Sequence, residues 1–283
     1  MQTVRQLDLL REAIATWRAA GDRVALVPTM GALHDGHMAL VEAAKRAGGR
    51  VVVSIFVNPK QFGPSEDLAK YPRKELADSR MLAAAGVDLL WMPPVEVMYP
   101  EGFATNISVG GVSDVLDGAH RPGHFDGVAT VVTKLFNQVH PDVALFGEKD
   151  WQQLAVIRRL VRDLDLDIEI QGVPTQREDD GLALSSRNAY LIPEERARAV
   201  ALPRALGVAE RAIAKGSDPE AALAQARETL TAAGFEVDYV ALVDAETLTP
   251  IDRLDRPARL LAAARLGGTR LIDNLAVAPN DPA

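Results

Sequence analysis

The chain has 283 residues, 48% hydrophobic and 25% charged, with a formal net charge of −8 and no cysteine. That gives room for one large domain or two ordinary ones, and it excludes disulfides, a thiol nucleophile and cysteine-bound zinc. The acidic balance argues against a long polyanion such as nucleic acid; no apolar run approaches the ~18–20 residues of a membrane span, and the start, MQTVRQLDLLREAI, lacks a secretory leader's pattern, so a cytoplasmic setting is expected.

In chain order, residues 24–28 are an apolar strand, and 38–47 (MALVEAAKRA) have helical spacing and good helix formers. Residues 51–57 (VVVSIFV) read as a strand covered on both faces; 73–85 read as a helix and 87–92 as a strand. The segment 94–125 is harder, with TNISVG a candidate extra strand. Helix 126–139, strand 142–146, helix 150–164 and strand 168–173 complete an alternation that predicts βαβ units and a parallel sheet. Within 150–164, Leu154, Ile157, Leu160 and Val161 form a core stripe. Beyond about residue 175 the texture changes to two alanine-rich helices, 194–214 and 218–233, and strands at 236–243, 258–265 and 269–277. The expected fold is therefore α/β: a Rossmann-like parallel sheet with helices on both faces over residues 1–175, and a smaller C-terminal α+β lid domain over 176–283. The last residues, APNDPA, read as a frayed tail.

Four polar clusters each follow the carboxyl end of a predicted strand. His34 and His37 follow 24–28, Asn58 and Gln61 follow 51–57, Gly147-Glu148-Lys149-Asp150 follow 142–146, and Arg177 through Asn188 follow 168–173. In an open parallel sheet those ends share one edge, and ligands bind in the crevice there. Gly31 permits a tight turn, and Asp35 sits where an N-cap or first-turn acid favours the coming helix. Gly36 would leave space for a ligand. Two imidazoles at a helix start could donate hydrogen bonds to phosphate oxygens; zinc is disfavoured because no third ligand shows the spacing. Lys149 reads as a point charge aimed into the crevice, and Ser185-Ser186-Arg187 as two hydroxyls and a guanidinium suited to gripping a triphosphate on closure. Gln61 and Gln153 suit the hydroxyls or carboxylate of a small polar substrate. No P-loop, G-x-G-x-x-G or G-x-S-x-G motif is present.

PTMGALHDGH, FVNPKQF, GEKDWQQ and DGLALSSRN, in this order, resemble the pantothenate synthetase (pantoate–β-alanine ligase) family along nearly the whole chain. H-x-G-H alone is shared with class I aminoacyl-tRNA synthetases and small nucleotidyltransferases; the other motifs are far more specific. The resemblance implies an ATP-dependent ligase that forms pantoyl adenylate and pyrophosphate, then pantothenate and AMP when β-alanine attacks. It implies that Met30, Gly31, Ala32, Leu33, His34, Asp35, Gly36 and His37 line the ATP site, with His37 assisting at the phosphates. Gly147, Glu148, Lys149 and Asp150 would bind nucleotide, Lys149 on the phosphates, with Gln176 close to the adenine. Leu184, Ser185, Ser186 and Arg187 would form a loop corresponding to the synthetases' KMSKS loop. Gln61, Gln153 and Asn58 would serve pantoate and β-alanine. Mg2+ would come with the ATP phosphates, with no protein metal ligand assigned, and the family implies a homodimer. Gln176 in place of valine and Leu184 in place of methionine depart from the family pattern without threatening the chemistry. The rival expectations are a nucleotidyltransferase acting on a phosphorylated acceptor and a nucleotide-binding module without turnover; a tRNA synthetase is disfavoured by the charge.

Overall fold

The computed structural model describes residues 1–64 and 66–279. The last four residues of the APNDPA tail lie outside the described residues. Six parallel strands form the larger sheet: β1 (Gln2–Val4), β2 (Val24–Thr29), β3 (Arg50–Ile55), β4 (Leu89–Trp91), β5 (Val143–Gly147) and β6 (Glu169–Val173), in the order β1-β4-β3-β2-β5-β6. The connections carry α1 (Leu7–Ala19), α2 (Asp35–Ala47), α3 (Glu75–Ala84), the short α4 (Val95–Met98) and α5 (Asp117–His120), α6 (His124–Val139) and α7 (Trp151–Asp163). Val24 to Val27 are fully buried, as are Val52 and Val53, because helices cover both faces of the sheet. One face packs on α1, α6 and α7, through Leu10, Ile14, Leu135 and Leu154; the other packs on α2 and α3, through Val41, Ala44 and Leu82.

The strand order reverses between β2 and β5: the chain leaves β2 toward β3 and β4 on one side and returns through β5 to β6 on the other. Such a switch point opens a crevice at the carboxyl ends of the two strands. The segment after β2 holds the paired histidines, and the segment after β5 holds Lys149.

After β6, α8 (Pro193–Ala199), α9 (Ala201–Ala214) and α10 (Pro219–Ala232) precede an antiparallel sheet of β7 (Glu236–Asp244), β8 (Ala258–Leu266) and β9 (Thr269–Val277). Both faces of this small sheet are used. Val240, Leu242, Leu260, Ala262 and Ala264 meet the helices, whereas Ala241, Val243 and Leu261, one residue out of phase, join the core of the larger sheet. Two-sided burial is why β8 carries an unbroken apolar run from Leu260 to Ala264.

The structure corrects the expected elements at several points. TNISVG, residues 105–110, forms no strand; Ile107 N–H donates to the Thr130 hydroxyl at 3.0 Å and not to a neighbouring strand. The expected helix 194–214 is two helices broken at Val200, where Pro203 has no N–H to continue the ladder back to Ala199. β1 and α1 were not expected: a strand of three residues carries too little pattern, although Leu10 and Ile14 of α1 do have helical spacing.

Candidate active site

The helix α2 begins earlier than its apolar spacing suggests, and that brings both histidines onto its first turn. His34 is the N-cap residue; its Nδ1 accepts from Gly36 N–H at 3.1 Å, and His37 Nδ1 accepts from His34 N–H at 3.3 Å. With both Nδ1 atoms accepting, each neutral ring keeps its proton on Nε2. The rings lie 4.1 Å apart between centroids. Burial, then the cost of a second charge beside His34 and the positive charge of Lys149, pushes His37 down to about 3, and burial followed by Lys149 lowers His34. Two uncharged imidazoles, each with one N–H to give, therefore stand at the crevice.

Asp35 occupies the first turn and not the cap. Gly36 is explained differently from the sequence reading. A Cβ there would come within 2.8 Å of His34 Cε1 and 2.9 Å of Nδ1, so the glycine makes room for the capping ring. The open position is Gly147, where an added Cβ would meet nothing within 4 Å. Gly31 adopts φ +81°, and a Cβ there would press on Asp78 Oδ2 at 3.1 Å. That buried carboxylate, on α3, accepts from Ala32 N–H at 2.8 Å and Leu33 N–H at 3.0 Å and so fixes the loop ahead of the histidines.

A cavity of about 230 Å³ opens at the switch point. Its wall includes Met30, His34, Gly36 and His37 from the β2 side, and Gly147, Lys149, Asp150 and Gln153 from the β5 side. Asn58 and Gln61 face it from beyond β3, and Gln176, Leu184, Ser185, Ser186 and Arg187 close it from the segment after β6. Gly31, Ala32, Leu33, Asp35 and Glu148 are not on this wall: the first three turn toward Asp78 and the core, Asp35 is exposed, and the Glu148 carboxylate pairs with Arg259 at 3.1 Å. A wider cleft of about 800 Å³ shares Arg121, His124, Lys149 and Arg187 with the cavity and runs out between the two sheets.

Asn58 spends its whole carboxamide internally. Nδ2 donates to Gln61 Oε1 and to Gly127 O, both at 3.0 Å, and Oδ1 accepts from Tyr99 OH at 2.7 Å and Lys60 N–H at 3.2 Å. Gln61 thus has its oxygen occupied, and its Nε2 faces only Met30 Sδ, a weak acceptor at 3.2 Å. Ser186 Oγ donates to Ala32 O at 3.0 Å, and Arg187 grips Asp67 through Nε and Nη2, both at 3.0 Å. The serine–arginine segment is closed down over the histidine loop.

Several residues of the cavity wall were not singled out from sequence. His124 Nδ1 donates to Gln61 O at 2.8 Å, and its Nε2 accepts from Arg121 at 3.0 Å; Arg121 in turn grips Glu66 at 2.7 and 2.9 Å. Lone His, Arg and Glu residues spread over 66–124 carry no spacing signal, so only the fold reveals the chain. Thr175 also lines the cavity, and its buried hydroxyl has no partner. Among the described residues no group of three or more His, Asp or Glu is placed to hold a metal ion.

The family model described as pantoate-beta-alanine ligase matches residues 2–276. This chain belongs to the pantoate–β-alanine ligase family. A relative named pantothenate synthetase, from Rhizorhabdus wittichii, is 71% identical over 280 residues, covering 99% of each chain. Another with that name, from Novosphingobium aromaticivorans, is 60% identical over 99% of this chain and 100% of its own. The solved pantothenate synthetase of Thermus thermophilus superposes with a TM-score of 0.94 at 52% identity, covering 99% of this chain and 100% of that one. The Francisella tularensis pantoate-beta-alanine ligase, complexed with beta-gamma ATP and beta-alanine, gives 0.79 at 32% identity, with 97% of each chain covered. The pantoate–β-alanine ligase fold is therefore carried over 99% of this chain.

The buried rings of this ligase give a pH prediction. Burial, then Arg121, lowers His124 to about 4, beside His37 at about 3. Unfolded imidazoles near 6.5 take up protons that the folded rings refuse, so the unfolded state binds more protons below that pH and stability falls with it. Glu66 adds only below its ordinary value near 4.5: burial opposes its charge, but Arg121 wins and holds it at about 2. Between pH 6.5 and 4.5 the loss belongs to the histidines, at about 1.4 kcal/mol per unit for each ring. Urea midpoints at pH 7, 6 and 5 should fall in turn, and His124→Asn should flatten the slope; an equal slope in the variant would refute the assignment.

Proposed function

We propose that this member of the pantoate–β-alanine ligase family joins pantoate to β-alanine in two steps within the switch-point cavity. Pantoate's carboxylate attacks the α-phosphorus of ATP and pyrophosphate leaves, giving a pantoyl adenylate. The uncharged amine of β-alanine then attacks the acyl carbon, AMP leaves, and an amide forms. The mixed anhydride is needed because a free carboxylate has no adequate leaving group.

The observation that supports this reading best is convergence. His37 and Lys149, which suit a phosphate, share one wall with Gln61 and Gln153, which suit a small hydroxy acid. Lys149 supplies the positive charge as the α,β-bridging oxygen of ATP, which leaves with pyrophosphate, gathers charge; His34 and His37 supply Nε2–H hydrogen bonds without adding charge. Gln61, with its oxygen held by Asn58, presents its NH2 to pantoate's carboxylate, and Gln153 takes a hydroxyl. Asn58 acts by setting Gln61. Ser185, Ser186 and Arg187 cover the triphosphate, Arg187 exchanging Asp67 for phosphate oxygens. Met30, Gly36, Gly147, Asp150, Gln176 and Leu184 enclose the nucleotide, the Thr175 hydroxyl offering a further hydrogen bond.

Mg2+ fits this wall as a companion of the phosphates. The donors are cationic or neutral, Asp78 is committed to backbone N–H groups, and Asp150 is the carboxylate open to an ion. When bound, the ion would neutralise part of the triphosphate charge. The same reading has residues 1–175 as the substrate-binding domain and 176–283 as the lid, in a cytoplasmic homodimer without nucleic-acid partners. No described helix is long and apolar enough to cross a membrane. Incubation with ATP, Mg2+ and pantoate should give pantoate-dependent exchange of labelled pyrophosphate into ATP, and AMP with pantothenate only when β-alanine is added. Exchange without pantoate, or with a phosphorylated acceptor in its place, would assign a nucleotidyltransferase instead; ATP binding without exchange would leave a binding module.

A further inference from the structure

Lys149 sits on a single turn of 3-10 helix, Glu148–Asp150, whose N-cap, Gly147, has no side chain to hold it. What holds it comes from the other sheet. Asn274, in β9 and 3% exposed, donates from Nδ2 to Glu148 O at 2.9 Å and to Lys149 O at 2.8 Å. Those carbonyls belong to the peptide planes on either side of the Lys149 Cα. Fixing both planes fixes the direction in which the Lys149 side chain leaves the backbone. The carboxamide is itself locked: Oδ1 accepts from Arg259 Nε at 2.6 Å, Arg259 lies 3.7 Å over the Trp151 ring, and its Nη2 reaches Glu148 Oε2 at 3.1 Å. Asp273, next in the strand, binds Arg177 at the start of the serine–arginine segment, both contacts at 2.8 Å. One pair of residues in the small sheet thus reaches both sides of the cavity.

We propose that Asn274 is a positioning residue for Lys149, so that the small sheet and not the larger one sets where the phosphate-facing ammonium stands. This rests on the reading of Lys149 given above. It explains why a carboxamide is buried there: only a side chain with two N–H donors and one acceptor satisfies two adjacent carbonyls and a guanidinium together. Because Asn274 is not on the wall of the cavity, its loss should act through Lys149.

The test is a double-mutant cycle. Asn274→Ala and the near-isosteric Asn274→Asp should each lower pantoate-dependent pyrophosphate exchange by about 10- to 100-fold, the scale of a misplaced catalytic group. KM for β-alanine should change less than 2-fold, on the order of experimental scatter. In a Lys149→Ala background the same changes should have almost no further effect. Equal losses with and without Lys149 would make Asn274 a merely structural residue and overturn the proposal. Full exchange activity in Lys149→Ala alone would overturn instead the role given to Lys149. Should the Asn274 variants fail to fold, Arg259→Lys, which releases the carboxamide oxygen and keeps the charge, takes their place in the same cycle with the same two outcomes.

Discussion

Lys149→Ala is expected to lower the rate of adenylate formation by about 10²–10³-fold, the usual loss for one preorganised transition-state donor, while the fold survives. The chemistry decides which partner matters most. His34 and His37 are held uncharged, so each offers a neutral hydrogen bond, whereas the ammonium gives a charge-assisted one of about twice the strength. Its field already reaches both rings, since it is among the causes that depress their protonation. The nearest carboxylate, on Asp150, is 3.9 Å away, so little ion-pair stabilisation is lost on truncation, and what is lost is packing of a side chain 18% exposed. Stability should fall by no more than about 1 kcal/mol, the centre of the range for point changes. Single-turnover formation of pantoyl adenylate in quenched samples, beside a urea titration, separates the two quantities. A variant that kept its adenylation rate would remove the ammonium from the chemistry altogether.

How much of this was legible in the sequence depends on whether a residue acts within its own segment. His34, His37 and Lys149 could be found because each follows an apolar run, and the strand order then carries both runs to one edge. Gln61 was legible for the same reason, inside FVNPKQF. Asp78 was not: it lies on an ordinary-looking helical segment, and its importance is the pair of N–H groups of a loop 45 and 46 residues earlier. The Glu66–Arg121–His124 chain is likewise assembled only when α6 packs on the turn after β3. Gly36 was noticed for a reason that geometry reassigns, since the crowding comes from its own neighbour's ring. The helix break at Val200 could have been read from Pro203, whose missing N–H is a local fact, whereas the three-residue β1 exists only because β4 offers it an edge.

Gly127→Ala should be the most damaging small change in the half of the cavity proposed to take pantoate. In an exposed helix the same substitution gains about 1 kcal/mol, because glycine is the poorer helix former. Here the backbone is helical and would accept alanine, so the sign rests on space. Its Cβ would fall 2.3 Å from Lys60 O, 2.5 Å from Lys60 C and 2.6 Å from Gln61 N, all main-chain atoms that no rotamer change can move. The turn Pro59–Gln61 lies on the first turn of α6, held by Asn58 Nδ2 to Gly127 O at 3.0 Å and by His124 Nδ1 to Gln61 O at 2.8 Å. Alanine must lift that turn and break at least one of those bonds. Overpacking of this kind costs about 1–3 kcal/mol, and a buried polar group left unpaired adds about 1–3 kcal/mol; together they exceed the propensity gain. The net expectation is a loss of about 2–4 kcal/mol in unfolding free energy, beyond the typical point mutation. Because Gln61 moves with the turn, KM for pantoate should rise at least about 10-fold, while the affinity for ATP, whose proposed cradle follows β2 and β5 rather than β3, changes less. Urea midpoints and pantoate titrations give both numbers from one preparation. An alanine variant as stable as its parent, with pantoate binding intact, would mean that the turn Pro59–Gln61 is not seated directly on the first turn of α6 and that Gly127 is not what sets Gln61.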